Sequence, residues 1–321
     1  MAETAWYELQ LSPCSDEASY SEEKIAMHVP PNPREKVTIN TLQAKKEHRD
    51  VITMLTAYDY PTARALDRAD VDAVLVGDSV GMVVLGYRDT LPVTMEDMLH
   101  HCKAVARGAR RCHLVGDMPF MSYQVSTPEA IRNAGRFLQE GGMDAVKLEG
   151  GREVAASIEA TVTAGIPVMG HLGLTPQSVH KLGGLKVQGT SAEAARRLLE
   201  DALILERAGC YAVVLEAIPE RVAELISDRL NVPTIGIGAG PHCDGQVLVT
   251  HDLLGLFDRF TPKFAKQYAD LGSQMMQAFR AYVADVTSHR FPSAEHCYPI
   301  REEELRALLE SLKGKTVQSR A

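Results

Sequence analysis

The sequence predicts an α/β fold, a (β/α)8 TIM barrel built as a single domain with an N-terminal extension and C-terminal helices. Three observations carry this prediction. Apolar runs rich in Val, Ile, Leu and Ala alternate eight times with amphipathic segments, the rhythm of a parallel sheet with right-handed crossovers. The runs are apolar throughout, as strands covered on both faces are. Most of them end in a polar side chain: Asp59, Asp78, Asp117, Glu149, His171, Glu216 and Asp252. A closed barrel brings these ends to one mouth. An open doubly wound sheet, the competing architecture, would spread them along a line.

Residues 1–35 read as a flexible extension, acidic and closing on Pro30-Pro31-Asn32-Pro33, with no sustained hydrophobic period. The barrel with its C-terminal helices is assigned to 36–321. Residues 37–49 form a short helix with Thr38 or Asn40 as N-cap. The first strand is Val51–Thr56, followed by a helix from Tyr60 to Asp70 with Pro61 in its first turn. Strand two is Ala73–Gly77. Thr94 caps the next helix, to Arg111, with Glu96 and Asp97 facing its positive end. Strand three, His113–Gly116, precedes a helix that runs from Thr127 to Glu140 and stops at Gly141-Gly142. Strands four and five are Ala145–Leu148 and Pro167–His171, separated by a helix over 151–164. A glycine-rich excursion over 172–190 leads to the amphipathic helix Ser191–Ala208. Strand six, Ala212–Leu215, a helix over Pro219–Leu230, strand seven at Thr234–Gly240 and strand eight at Val247–Val249 complete the series. Phe257, Phe260, Phe264, Tyr268 and Leu271 suggest a further helical stretch. Met275–Val286 follows, and the final amphipathic helix, Glu302–Leu312, packs either on the barrel or on another subunit.

Composition narrows the function. Net charge is −8 and the pI is near 5.8. With no basic stripe, nucleic acid is not an expected partner. No run approaches the roughly 20 apolar residues of a membrane span, and residues 1–23 lack the pattern of a signal or transit peptide. The six cysteines are scattered with no C-x-x-C pair. Reduced thiols and a cytoplasmic location are therefore expected.

The chemistry is expected at the strand ends. Asp78, Asp117 and Glu149 make a set of hard oxygen donors suited to Mg²⁺ or Mn²⁺; each alone would equally well cap a helix or pair with a lysine. Lys147 lies two residues before Glu149 and so faces the same way. It balances charge, anchors a substrate oxygen, or serves as a Schiff-base lysine. Glu216 ends strand six across the barrel from strand two. Without an evident cation nearby, and in a partly apolar mouth, it reads as a base or as a helix cap. His171 is either a structural hydrogen-bond partner or a substrate contact. Gly236-x-Gly238-x-Gly240 fails the spacing of a dinucleotide fingerprint and instead suggests close approach of backbone to a ligand, or a nest of amide donors.

Several linked stretches resemble the ketopantoate hydroxymethyltransferase family. They are Gly77-Asp78-Ser79-Val80-Gly81-Met82, Leu91-Pro92-Val93-Thr94, Gly116-Asp117-Met118-Pro119-Phe120, Val146-Lys147-Leu148-Glu149-Gly150, Gly170-His171-Leu172-Gly173-Leu174-Thr175-Pro176-Gln177, Leu182-Gly183-Gly184 with Lys186 to Gly189, and Gly236 to Gly240 leading to Asp244-Gly245-Gln246. The match spans about 36 to 300. The resemblance implies a barrel enzyme of pantothenate and coenzyme A synthesis that uses Mg²⁺, takes 5,10-methylenetetrahydrofolate as co-substrate and converts 3-methyl-2-oxobutanoate to 2-dehydropantoate through a metal-stabilised enolate. It implies Asp78 and Asp117 as metal ligands, with Glu149 reaching the ion directly or through water. By the same resemblance Ser79, Lys147 and His171 bind substrate alongside the metal-held oxygens at Asp78 and Asp117, and Glu216 is the base. A homodecamer is implied as the assembly. The residues alone leave two alternatives, another metal-enolate barrel lyase and a non-catalytic metabolite-binding barrel.

Overall fold

The computed structural model describes residues 35–313; the expected N-terminal extension lies outside them apart from Glu35. Eight parallel strands close on themselves in sequence order, β1 pairing with both β2 and β8. They are β1 (Ile52–Thr56), β2 (Ala73–Val76), β3 (His113–Asp117), β4 (Ala145–Glu149), β5 (Val168–Gly173), β6 (Ala212–Glu216), β7 (Thr234–Ile237) and β8 (Gly245–Leu248).

Two cores follow from the alternation of side chains along the strands. Leu75, Val115, Ala145, Met169, Ala212, Val214, Ile235 and Val247 pack inside the barrel, closed at its base by Val37 and Leu42. Val74, Val76, Leu114, Val146, Leu148, Val213 and Leu215 face outward against the helices. Parity then aims the polar strand ends. Asp117 is two residues past Val115, Lys147 and Glu149 continue from Ala145, His171 follows Met169 and Glu216 follows Val214. All five share the inward face. Register sets Asp117 opposite Lys147 and Glu149 opposite His171 on adjoining strands.

The helices begin where their caps direct. α1 (Ile39–His48) starts at Thr38, which forms a capping box with Thr41. α2 (Tyr60–Arg68) starts at Asp59, whose carboxylate accepts from the Thr62 N–H. A short turn, α3 (Val80–Val83), follows Ser79 directly. α4 (Met95–Gly108) is closed by Thr94 and Asp97, and α5 (Thr127–Gln139) by Ser126. α6 (Ala155–Thr163), α7 (Val179–Leu182), α8 (Ala192–Arg207), α9 (Glu220–Ser227), α10 (Thr250–Leu253), α11 (Leu271–Thr287) and α12 (Glu302–Lys313) complete the chain.

Three expectations are corrected. Asp59 does not join the mouth; it is exposed and caps α2. β7 ends at Ile237, and Gly238 and Gly240 turn away with φ of 63° and 79°. Close approach at Gly238 is to the chain itself, since a Cβ there would meet the Phe264 ring at 2.6 Å. Residues 257–270 form no helix. Pro262 cannot donate within one, and Arg259 instead donates to the Gly86 and Tyr87 carbonyls, both at 2.7 Å, tying the segment across the loop after β2.

Candidate active site at the barrel mouth

The C-terminal ends of the strands open into a cavity of about 540 Å³, within the range of small-molecule sites. Asp78, Ser79, Asp117, Lys147, Glu149, His171 and Glu216 all line it. These seven candidates therefore reach one volume, whereas Asp59 and the glycines at 236, 238 and 240 do not line it.

Lys147 is the hub. Its Nζ lies 2.8 Å from Asp117 Oδ1, 3.9 Å from Glu149 Oε1 and 3.2 Å from His171 Nδ1. Burial by itself would strip the ammonium of its proton, but the Asp117, Glu149 and Asp78 carboxylates raise its pKa well above the ordinary lysine value. These ion contacts favour the charge-balancing or anchoring role over the Schiff-base one. His171 continues the chain, with Nδ1 3.4 Å from Glu149 Oε1 and Nε2 3.1 Å from Glu216 Oε2. Burial and the Lys147 charge push its imidazole down, the Glu149 and Glu216 carboxylates push it up more strongly, and the balance lies at about 9. Glu216 therefore has a cationic neighbour after all, one invisible in the sequence because it comes from the adjoining strand. Its side chain is 16% exposed, against 2% for Asp117, so it is the carboxylate that meets solvent and substrate.

Negative charge is incompletely balanced on the other side of the site. Burial raises the Asp78 carboxyl well above its ordinary value, and repulsion from Asp117 and Glu149 raises it further against the pull of Lys147. Asp117 is also raised, by burial and Glu149, with Lys147 opposing. Glu149 is driven the other way: contacts from His171, Lys147 and the Gln177 N–H outweigh its burial. Asp117 Oδ1, wholly buried, makes no aligned hydrogen bond despite its ion contact.

This donor set fits a hard divalent cation. Among the described residues no three His, Cys, Asp or Glu side chains gather closely enough to cage an ion. Magnesium does not require such a cage, since it is commonly held by one or two carboxylates, with substrate oxygens and waters filling the rest. Asp78 and Asp117, both buried at the cavity, are the two carboxylates that such a site would use.

Ser79 starts α3 and its Oγ is 2.8 Å from the Tyr58 hydroxyl. Tyr58 was not singled out from the sequence, and neither was Gln177. The Gln177 amide donates to Asp78 Oδ2 at 3.0 Å and to the Met118 carbonyl at 2.9 Å. Its backbone N–H donates to Glu149 Oε2 at 3.0 Å, and its Oε1 accepts from Tyr123 at 2.7 Å. One amide thus joins the loop after β5 to two acids from other strands. The only prior signal was its place at the end of the Gly170–Gln177 stretch.

Fold and site together define a barrel enzyme with its chemistry at a carboxylate-lined mouth. A family model described as ketopantoate hydroxymethyltransferase matches residues 36–294. A 3-methyl-2-oxobutanoate hydroxymethyltransferase of Syntrophomonas wolfei is 54% identical over 84% of this chain and 98% of its own. One from Syntrophus aciditrophicus is 57% identical over 82% of this chain and 97% of its own. The chain belongs to the ketopantoate hydroxymethyltransferase family. The crystal structure of a phosphonopyruvate hydrolase with oxalate and Mg²⁺ has a TM-score of 0.55 at 12% identity, covering 88% of this chain and 98% of that one; at that identity the likeness is one of fold.

Proposed function

We propose that the chain transfers a hydroxymethyl group from 5,10-methylenetetrahydrofolate to 3-methyl-2-oxobutanoate, giving 2-dehydropantoate and tetrahydrofolate, in pantothenate synthesis. The observation that carries this reading is the convergence of Asp78, Asp117, Lys147, Glu149, His171 and Glu216 on one cavity. The keto acid needs a base at its C3 proton and cationic contacts for its oxygens. Glu216, the more exposed carboxylate, takes the proton. His171 faces Glu216 as an ion contact, with Nε2 3.1 Å from Oε2. The fixed charge of Lys147 donates to the substrate oxygen that becomes electron-rich as the proton leaves. The Ser79 hydroxyl, oriented by Tyr58, donates to the substrate carboxylate. The freed carbon bonds to the folate-borne one-carbon unit, both C–N bonds from that unit to the folate break, water supplies the new hydroxyl oxygen, and the C3 proton and the second water proton end on the two folate nitrogens.

Asp78 and Asp117 would hold Mg²⁺ directly, and Glu149, engaged by His171 and Gln177, through water. When bound, the cation withdraws electron density from the keto acid's oxygens and makes the C3 proton more acidic. The proposal places the enzyme in the cytoplasm, where the buried free thiols Cys102, Cys112, Cys210 and Cys243 stay reduced. It also places it in a homodecamer, for which the exposed apolar face of α11 offers contact surface. Among the described residues no helix is long and apolar enough to cross a membrane.

The test is Mg²⁺-dependent exchange of deuterium into C3 of 3-methyl-2-oxobutanoate without folate. Asp117→Ala is expected to lower exchange at least ~100-fold. Glu216→Gln is expected to retain keto-acid binding, read by calorimetry, and to lose exchange. Wild-type exchange in Asp117→Ala would remove the metal assignment, and in Glu216→Gln the base.

A further inference from the structure

The keto acid leaves one wall of the cavity unused. That wall is made by α10 and the irregular segment after it, and carries Asp252, Phe257, Phe260, Lys263 and Phe264. Asp252 is its conspicuous member. The residue is only 8% exposed, yet among the described residues its carboxylate accepts no hydrogen bond and forms no ion pair, though it faces the cavity. Its backbone is held firmly: Thr250 Oγ1 donates to the Thr56 carbonyl at 2.5 Å and the Thr250 N–H to Thr56 Oγ1 at 3.0 Å. Burial pushes the Asp252 carboxyl up to about 6. The carboxylate opens onto the cavity from a firmly held backbone, so it is positioned to accept from a ligand.

The surroundings specify what would satisfy it. Phe257 and Phe260 stand edge to face with ring centroids 5.4 Å apart, and Phe264 packs on Gly238. Phe260 and Phe264 keep 45% and 36% of their surface exposed. Flat aromatic walls of this kind receive planar rings. Lys186 and Lys263 line the same cavity, and both are exposed and without an ion pair among the described residues. The wall thus offers an acceptor, aromatic faces and cations, which suit a ligand combining adjacent N–H donors, planar rings and anionic groups. The keto acid carries oxygen acceptors and a negative charge, and Asp252 would repel it.

We propose that this wall is the folate subsite. Asp252 accepts from the ring N3–H and the 2-amino group of the folate pyrimidine, the phenylalanines cover its rings, and Lys186 and Lys263 receive the glutamate carboxylates. The inference rests on the hydroxymethyl-transfer reading and adds to it the residues that recognise the co-substrate. Asp252 is a binding residue, not a participant in bond making.

The experiment uses the full chain. Wild type and Asp252→Asn are titrated calorimetrically with tetrahydrofolate and with its 2-desamino analogue, and steady-state KM values are measured for both substrates. Expected in Asp252→Asn is a weakening of tetrahydrofolate binding by about tenfold to a hundredfold, the range for hydrogen bonds to a charged group. The KM for methylenetetrahydrofolate should rise in step, and that for the keto acid by less than about twofold. Wild type should discriminate against the 2-desamino analogue and the variant should not. The thermal midpoint should hold or rise, because the lost carboxylate had no partner. Phe260→Ala and Lys263→Ala, at exposed positions that put the fold at no risk, should each weaken tetrahydrofolate. Unchanged tetrahydrofolate affinity in folded Asp252→Asn, with wild-type turnover intact, overturns the subsite alone. A matching rise in keto-acid KM also overturns it. Wild type that neither binds tetrahydrofolate nor turns over overturns the functional reading and the subsite together.

Discussion

His113 shows how the barrel treats a titratable side chain it does not use at the mouth. It opens β3 at the base, 2% exposed, with Nε2 3.0 Å from the Tyr211 hydroxyl and Nδ1 3.9 Å from Asp144. Burial pushes its imidazole down to about 4; Asp144 opposes this and Lys36 adds to it. The ordinary value is 6.5, so below that pH the unfolded chain takes up a proton before the folded one does. Stability linked to His113 is therefore complete above about 6.5 and is lost as pH falls toward 4. Urea unfolding at about pH 7 and about pH 4.5 should show His113→Gln losing less stability than wild type on acidification, by about 2 kcal/mol. Parallel losses in the two proteins would assign the acid sensitivity elsewhere. His171 is equally buried and moves the opposite way, because two carboxylates face it where His113 has one. Neither neighbourhood is contiguous in sequence. The candidate acids were legible as residues at strand ends, but the contacts that set their charge come from adjoining strands, and Gln177 and Tyr58 acquire meaning only once those strands are side by side.

At the level of elements, the alternation of apolar runs and capped helices was sufficient to read the barrel, because β2 to β7 are buried on both faces and α1, α2, α4, α5 and α8 start at side-chain caps. The stretch over 257–270 was misread because its phenylalanines recur at a helix-like interval. Their common face is turned toward the cavity, and Pro262 and the Arg259 contacts hold the backbone out of a helix. The repeated Gly-Asp ending of the strands has a clearer physical basis. Gly116 faces outward where α5 crosses β3, and a Cβ on it would overlap the Phe137 ring and stand 3.1 Å from Met143 Cγ. Phe137 is fully buried and has no room to retreat. The glycine lets α5 seat closely just where Asp117, the next residue, turns inward. Gly116→Ala should destabilise by about 1–3 kcal/mol, as overpacking does, and Phe137→Leu in the same chain should recover much of that loss by making space. Denaturant unfolding of both singles and the double measures the coupling; additive losses would show that the close seat of α5 is not what the glycine serves.

On the scale of the whole molecule, the barrel is self-sufficient but α11 is not. Met275, Met276, Phe279, Tyr282, Val283 and Val286 recur along it at helical spacing, and each is 40% exposed or more. No residue of α11 is buried. Six large apolar side chains on one helix exceed the scattered exposure expected of a surface. α12 adds Leu308, Leu309 and Leu312, also about half exposed. These faces carry no polar group needed at the mouth, and none of the groups that hold substrate in the proposed reaction comes from α11 or α12. Assembly through α11 should therefore bury apolar area without altering the site's charge arrangement. At about 25 cal/mol per Å² of apolar area removed from water, covering such a stripe is a substantial drive toward association, and a charge placed in its middle should cancel it. Phe279→Glu with Val283→Glu is expected to sediment as a smaller species than wild type in analytical ultracentrifugation, while far-ultraviolet circular dichroism keeps the barrel's signature. A variant that sediments like wild type would show that α11 is not the contact between subunits, and wild type sedimenting as a monomer would remove the decamer from the proposal.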